Sequence, residues 1–300
     1  MDAVPIAFVD VLCVTLQKTD LEELQKIENL WSWTVETHYS RRRELTAYVS
    51  ANYDEAEVGI IIGENADLLI AVPYTSLTKY DRIRRISIRR FHRELLPETI
   101  PMERFKTKVL PVLISMADAF KMNVSARSSK RLAESVFSVL RAPLLKIETG
   151  YTGQKGVEFI ERQIALGRLE QLNLRGHEWS GSMKPFLKWF LKSPNFRKLD
   201  LRRTNLTVDL RMLVIIFERF LKGELCMETS LRGKPSDGKL KELREAVLSG
   251  DTLPVLYGLP QPASTSVEFD FDTCQVEWTG PGNKRLCAWF SKTELYIYQR

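Results

Sequence analysis

A repeated spacing of large apolar residues in the second half of the chain is the feature that most constrains its fold. The pattern Leu-x-x-Leu-x-Leu in residues 169–174 returns as Phe-x-x-Leu-x-Leu in residues 196–201, a step of 27 residues. The positions that keep this register are Leu145 and Ile147 one step earlier, then Phe159, Phe186 and Leu213, then Ile160, Leu187 and Val214, and also Trp179 and Leu206. Strands and helices that alternate at one period predict a stack of strand–helix units, because neither element can bury its apolar face alone.

Each predicted unit pairs a short strand with a helix. Leu199 and Leu201 project to one side of a strand and Asp200 to the other. The following helix has Thr207 as its expected N-cap and ends at Gly223, because glycine favours the left-handed conformation after a helix. A period of roughly 20–29 residues with this element order is typical of leucine-rich repeats, so an irregular solenoid of that kind is expected.

The predicted leucine-rich-repeat-like solenoid covers residues 93–260. An earlier unit is expected to begin at Met122, with its helix over residues 129–141. A later unit is expected to have its strand at residues 225–229 and a helix capped by Ser236. The predicted fold class is therefore α/β.

The residues after the solenoid return to alternating apolar and polar positions. Residues 261–300 predict two or three antiparallel strands with a turn at 280–283, and these strands cap the open edge of the stack. Cys274 and Cys287 are either neighbours across this hairpin or two unpaired thiols. Unpaired thiols are favoured, because the four cysteines have no zinc-ligand spacing and cannot cross-link a chain of 300 residues as a framework.

The segment 1–43 predicts two or three short helices with more large apolar side chains than so short a segment can bury. Those left outside form an apolar patch that requires a partner or the rest of the chain. One interpretation is an ordinary amphipathic helical cap on the domain that follows. The other is a module that docks on another protein.

The order of apolar residues in this segment resembles an F-box. The residues that carry the resemblance are Val4-Pro5, Phe8, Leu12, Leu16, Asp20-Leu21, Leu24, Ile27 and Trp31. Val4 stands where the family usually has Leu, and Asn29-Leu30 stands where Cys-Arg is common. The resemblance implies docking on the linker subunit of an SCF-type cullin–RING ubiquitin ligase. It also implies that the contacts are made by Pro5, Phe8, Leu12, Leu16, Leu21, Leu24, Ile27 and Trp31.

The combination of this segment with a repeat region is similar to the divergent F-box families that are expanded in nematodes. The likeness lies in the opening Met-Asp-x-Val-Pro, in residues 190–196, and in the pairs Leu199–Leu201 and Thr204–Leu206. Members of these families recognise targets for ubiquitylation, so the resemblance implies a non-catalytic substrate adaptor whose repeats bind an unknown protein target.

Residues 44–92 predict a small antiparallel sheet followed by the densest basic run of the chain. The expected strands lie at residues 45–49, 58–62 and 68–72. The basic run consists of Arg82, Arg84, Arg85, Arg89, Arg90 and Arg93. It is either a phosphate-contacting or nuclear-import patch, or a strand with Ile86 and Ile88 inward and arginines on a solvated face. The strand is the favoured interpretation.

Composition and missing motifs define the remaining expectations. A chain with 44% hydrophobic residues and a net charge of +6 is too apolar for a disordered protein. It has no apolar stretch of about 18 residues and no basic start of a signal peptide, so we expect a cytoplasmic or nuclear protein without a membrane helix. Nucleotide-binding, nucleophile-elbow and zinc-protease motifs are missing, so no enzyme, cofactor or metal is expected. The alternative to the adaptor is a basic scaffold that binds nucleic acid or an acidic protein.

Overall fold

The computed structural model describes residues 4–27, 30–64, 71–90, 99–117, 120–125, 127–236, 238–249, 263–268 and 273–300. The chain is a mixed α/β protein that divides into two compact units, Met1–Ala142 and Pro143–Arg300. Within the described ranges, no helix has both the length and the apolar character needed to cross a bilayer.

The first unit begins with three short helices that share a small core. They are α1 (Ile6–Thr15), α2 (Lys18–Gln25) and α3 (Ser32–Arg41). Pro5 precedes α1, and reciprocal hydrogen bonds between Gln17 and Asp20 cap the start of α2. The buried residues of this core are Val9, Cys13, Leu21 and Val35, against which Val4, Leu16, Leu24, Trp31 and Tyr39 pack.

A mixed sheet follows the helices. Its strands are β1 (Arg43–Ala51), β2 (Glu57–Glu64), β3 (Asp81–Ile88), β4 (Thr99–Pro101) and β5 (Phe120–Val124), in the order β5-β3-β1-β2-β4. The β1–β2 pair is antiparallel, as the alternation predicts, but β3 lies parallel to β1 and to β5. The small sheet is therefore not purely antiparallel. The third expected strand, 68–72, lies largely outside the described residues.

Further helical segments of this unit follow β4 along the chain. They are α4 (Met102–Arg104), a π-helical stretch (Phe105–Val109), α5 (Leu110–Ser115) and α6 (Lys130–Val139). The Ser129 side chain caps α6 by accepting a hydrogen bond from the Leu132 amide, at 3.0 Å. The helix expected over residues 129–141 is thus confirmed, as is the strand expected from Met122.

An ion pair between a half-buried arginine and a buried carboxylate joins the first residues of β1 and β3. The Asp81 side chain is fully buried and accepts two hydrogen bonds from Arg43, at 2.7 and 2.9 Å, and two from the backbone and hydroxyl of Thr78. Burial acts to raise the pKa of Asp81, but these hydrogen bonds outweigh it and hold the pKa below its usual value.

We expect Asp81→Asn to destabilise the first unit by about 2 kcal/mol, because it leaves Arg43 without its buried carboxylate. A depressed pKa stabilises the folded state above the unfolded pKa, near 4, and this contribution is lost as the pH falls through the lower folded pKa. Urea denaturation from neutral pH to acid will therefore show a weaker acid dependence in Asp81→Asn. The exposed control Glu22→Gln will retain the wild-type dependence; equal profiles for both variants would contradict the assignment.

The second unit contains four strand–helix pairs and an antiparallel group of strands. The elements are β6 (Leu144–Gly150), α7 (Gln154–Ala165), β7 (Gln171–Gly176), α8 (Met183–Lys192), β8 (Lys198–Thr204), β9 (Thr207–Val208), α9 (Leu210–Leu221), β10 (Ser230–Pro235), α10 (Lys239–Ser249), β11 (Ser264–Glu268), β12 (Thr273–Thr279), β13 (Arg285–Phe290) and β14 (Leu295–Gln299). The sheet order is β11-β12-β13-β14-β10-β8-β7-β6, with β9 beside β10. The neighbouring pairs β6–β7, β7–β8 and β8–β10 are parallel. The pairs β10–β14, β14–β13, β13–β12 and β12–β11 are antiparallel.

One buried row crosses the parallel strands. Ile147, Leu172, Leu199 and Leu231 are neighbours on adjacent strands and have no exposed surface. The step from β7 to β8 is the predicted 27 residues, but the step from β6 to β7 is 25. The partner of Leu172 is therefore Ile147 and not Leu145. The loop after β6, residues 151–153, is shorter than the loop after β7, residues 177–182, and this difference outweighs the greater length of α7 compared with α8.

Three predicted boundaries in this unit were wrong. The N-cap of α9 is Asp209, whose carboxylate accepts from the Met212 amide at 3.0 Å, because Thr207 lies in β9 instead. The strand expected at residues 225–229 is β10, which begins at Ser230 after a turn. Ser236 does not begin α10, which starts at Lys239.

The strands after residue 260 are antiparallel, as predicted, but the described residues contain four of them, β11 to β14, where two or three were expected. The turn at 280–283 connects β12 to β13. Cys274 lies opposite Phe290, and Cys287 lies opposite Glu277, so the two cysteines are not cross-strand partners. Both are free thiols, as the sequence favoured.

We expect Ile147→Ala to cost about 2–5 kcal/mol of unfolding free energy, because it empties a position of the buried row. Leu145→Ala is the matched change on the same strand at a half-buried position, and its cost will be clearly smaller. Chemical denaturation measures both values. A larger cost at Leu145 would support the 27-residue register at this strand and contradict the 25-residue step.

Candidate functional site

Helix α1 is apolar on two sides, and only one of them is covered. Asp10 is its one charged residue. Val9 and Cys13 are buried in the helical core, whereas Phe8, Val11 and Leu12 are 58%, 64% and 40% exposed. Because these three residues are spaced at i, i+3 and i+4, they share one face of the helix. Contiguous exposed apolar side chains on a helix are typical of an interaction site.

Further exposed apolar side chains lie in the same three-helix segment. We define the N-terminal apolar surface as Ile6, Phe8, Val11, Leu12, Ile27, Leu30 and Trp33. Trp33 is 78% exposed although it is a large aromatic residue at the start of α3. Val35 points into the core, and Trp33, two residues earlier on the helix, lies about 200° away around its axis.

The eight residues that the F-box resemblance implies have different environments. Pro5, Phe8, Leu12 and Ile27 are exposed; Leu16, Leu24 and Trp31 are partly buried against the helical core; Leu21 is fully buried within it. The resemblance did not include Ile6, Val11, Leu30 or Trp33. Val35 and Tyr39 are four residues apart and share the core-facing side of α3. Trp33 lies on the opposite side of the helix, so its exposure could have been predicted from this spacing.

Polar contacts determine which side of α1 faces the rest of the unit. The Asp10 carboxylate contacts Lys79 Nζ at 2.8 and 2.9 Å and His38 Nε2 at 2.8 Å. The hydrogen bond from Lys79, with that from His38, lowers the pKa of Asp10 below its usual value. His38 has no exposed surface, and its burial lowers its pKa more than the Asp10 contact raises it. Asp10 is thus held as a carboxylate against the unit.

Two arginines bind the last carbonyls of α1. Arg42 donates to the Cys13 carbonyl at 2.6 Å, and Arg82 Nε donates to the Val14 carbonyl at 2.8 Å. Carbonyls at a helix C-terminus lack helical partners and carry partial negative charge, so cations bind well there. Burial lowers the pKa of Arg42 to about 10, which still leaves it charged at neutral pH.

The first part of the basic run lies in strand β3, as the favoured interpretation predicts, but Arg82 is buried and does not lie on a solvated face. Ile86 and Ile88 of β3 are buried. Most of the arginines have partners within the unit: Arg82 with the carbonyl of Val14, Arg84 with Gln17 and Glu44, Arg89 with Ser87 and the ring of Tyr48, and Arg90 with the ring of Tyr53. Arg85 is exposed, and Arg93 lies outside the described residues.

The described part of the chain contains no group of three or more His, Cys, Asp or Glu side chains that could hold a metal ion. The chain matches no protein-family model, no curated protein and no solved structure. A functional assignment therefore depends on the residues of the N-terminal apolar surface and on their resemblance.

We expect Phe8→Asp to change the stability of the first unit by no more than about 0.5 kcal/mol, because Phe8 is exposed and an acidic residue is favourable in the first turn of a helix. Val9→Asp, one residue later, places a carboxylate in the helical core and will cost about 3 kcal/mol or more. Urea denaturation compares the two. Similar losses would mean that the Phe8 face is covered.

Proposed function

We propose that the chain is a non-catalytic substrate-recognition adaptor of an SCF-type ubiquitin ligase. In this proposal residues 1–43 are an F-box-like module that docks on the linker subunit. The observation that carries it is the exposed face of Phe8, Val11 and Leu12 on α1, within the segment whose residue order resembles an F-box. Such adaptors act in the cytoplasm or the nucleus.

The physical basis for docking is the removal of apolar surface from water. Fully burying a Phe, Leu or Val side chain contributes about 1.5–3 kcal/mol, so covering the exposed half contributes roughly 1 kcal/mol for each. Three such side chains, Phe8, Val11 and Leu12, share one face of α1. Because Asp10, Arg42 and Arg82 already hold α1 from the other side, docking requires little further ordering of this helix.

The target-binding region in this proposal is the second unit. The parallel strands β6, β7, β8 and β10, each followed by a helix, support a leucine-rich-repeat-like arrangement. Stacked repeats present extended surfaces whose residues are not fixed by the repeat, and this suits recognition of a protein. The divergent F-box families described above combine the same two parts.

The alternative, a basic scaffold that binds nucleic acid or an acidic protein through Arg82–Arg93, has less support. Affinity for phosphates depends on arginines whose guanidinium groups reach the ligand. Arg82 is buried, and Arg84 and Arg89 contact side chains of their own unit. No observation on these arginines favours the alternative over the adaptor.

Binding of the full chain to a purified linker subunit, measured by isothermal titration calorimetry, tests the proposal. Phe8→Asp and Trp33→Asp will each weaken binding at least about tenfold, because a hot-spot aromatic contributes about 2 kcal/mol or more. The matched control is Glu22→Lys, which changes an exposed charge on α2. Failure of the wild-type chain to bind would refute the proposal, as would equal affinity of wild type and both variants.

A further inference from the structure

The second unit has an arginine- and tyrosine-rich sheet face opposite its buried row. Leu199, Leu231 and Ile297 of β8, β10 and β14 are buried, so the alternate residues of these strands lie on the other face. The register places Arg232 between Asp200 on one side and Tyr296 on the other. We define the arginine–tyrosine face as Asp200, Arg202, Arg232, Tyr296, Tyr298 and Arg300.

Four of these side chains form a continuous stack. The Arg232 guanidinium lies 3.7 Å from the centre of the Tyr296 ring, which stacks on Tyr298 at 4.7 Å and an angle of 22°. Arg300 lies 5.3 Å from the Tyr298 ring. A guanidinium and a ring at these distances cannot share one side of Tyr296, so both of its sides are occupied. A nucleic-acid base therefore has no free ring surface at Tyr296 on which to stack.

Two carboxylates at this face, Asp200 and Glu294, are paired with Arg202, whose Nε lies 3.8 Å from Glu294 Oε1. Asp200 is 5% exposed and accepts hydrogen bonds from Arg202 Nε and Nη2, with the shortest at 2.8 Å. Burial acts to raise the pKa of Asp200, but the hydrogen bonds from Arg202 lower it more, so it remains charged and paired. The Arg232 side chain, by contrast, has no hydrogen-bond partner among the described residues; its Nε is buried, so its two Nη atoms are the donors that a ligand can reach.

The resulting surface is donor-rich and positive. A planar guanidinium with free N–H groups matches a carboxylate, which it binds through two parallel hydrogen bonds. Arg and Tyr are also enriched among residues that dominate the energy of protein interfaces. Because Arg232 is held in the stack before any partner arrives, binding requires little loss of its conformational freedom.

We infer that the arginine–tyrosine face binds an acidic segment of a protein, with a carboxylate of that segment on Arg232. That the protein which carries the acidic segment is the target of the adaptor rests on the proposed function. The binding of an acidic segment does not, because it depends only on the charges and the stack of β8, β10 and β14.

The test uses the full chain and a fluorescein-labelled random copolymer of glutamate and tyrosine, with binding followed by fluorescence anisotropy. Arg232→Glu will raise the dissociation constant at least about tenfold, as for a hot-spot arginine. Arg300→Glu changes an exposed side chain at the other end of the stack and will give a smaller rise. The matched control Arg168→Glu, exposed in the turn before β7, will bind like wild type.

Three results would overturn the inference: no copolymer binding by wild type, an unchanged dissociation constant in Arg232→Glu, or tighter binding of oligodeoxythymidylate than of the copolymer. If Arg232→Glu does not fold, Arg300→Glu is the deciding variant, and an unchanged dissociation constant in Arg300→Glu would overturn the inference. Linker-subunit binding is measured on the same samples. Copolymer binding that depends on Arg232, together with no linker binding, would support this face and refute the adaptor.

Discussion

The contacts of Asp10 with Lys79 and His38 help to hold one side of α1 against the rest of the first unit. Asp10 is the one charged residue of α1, and its contacts with Lys79 and His38 orient the helix toward the rest of the first unit. Arg42 and Arg82 bind the carbonyls at the end of the same helix. With one side held in this way, the side that carries Phe8 and Leu12 remains in contact with solvent. These polar contacts and the burial of Val9 and Cys13 together leave the proposed docking surface on the other side of α1.

The arginines show how local structure changes the meaning of a charged run. In the sequence, Arg82 and Arg84 belong to the most basic segment of the chain. In the structure, Arg82 donates to the Val14 carbonyl of α1 and Arg84 donates to the Gln17 side chain, which precedes α2, so both charges are used within the first unit. Arg232, which stands alone in the sequence, makes no hydrogen bond through its Nε among the described residues. The register of the sheet, not the local density of charge, places it between Asp200 and Tyr296.

Periodicity predicts the elements of this protein well and their exact alignment less well. The alternation of apolar residues identifies β1, β2 and the strands after residue 260, and the repeat identifies β7 and β8. The register of β6 was missed because it depends on the lengths of the loop and the helix that follow β6, and the spacing of apolar residues does not indicate those lengths. The N-cap of α9 was misplaced since Thr207 and Asp209 are both good caps, and only the pairing of β9 with β10 separates them. The exposure of Trp33 depends on which side of α3 packs on the core of the three-helix segment.

Hydrogen exchange of the full chain, with and without the linker subunit, tests the central claim most directly. The amides of α1 and of the start of α3 lie beneath the N-terminal apolar surface, so docking there slows their exchange. We predict added protection in these two helices and none in the second unit. Unchanged exchange in α1 and α3, or protection confined to residues 143–300, would contradict the assignment of the docking surface.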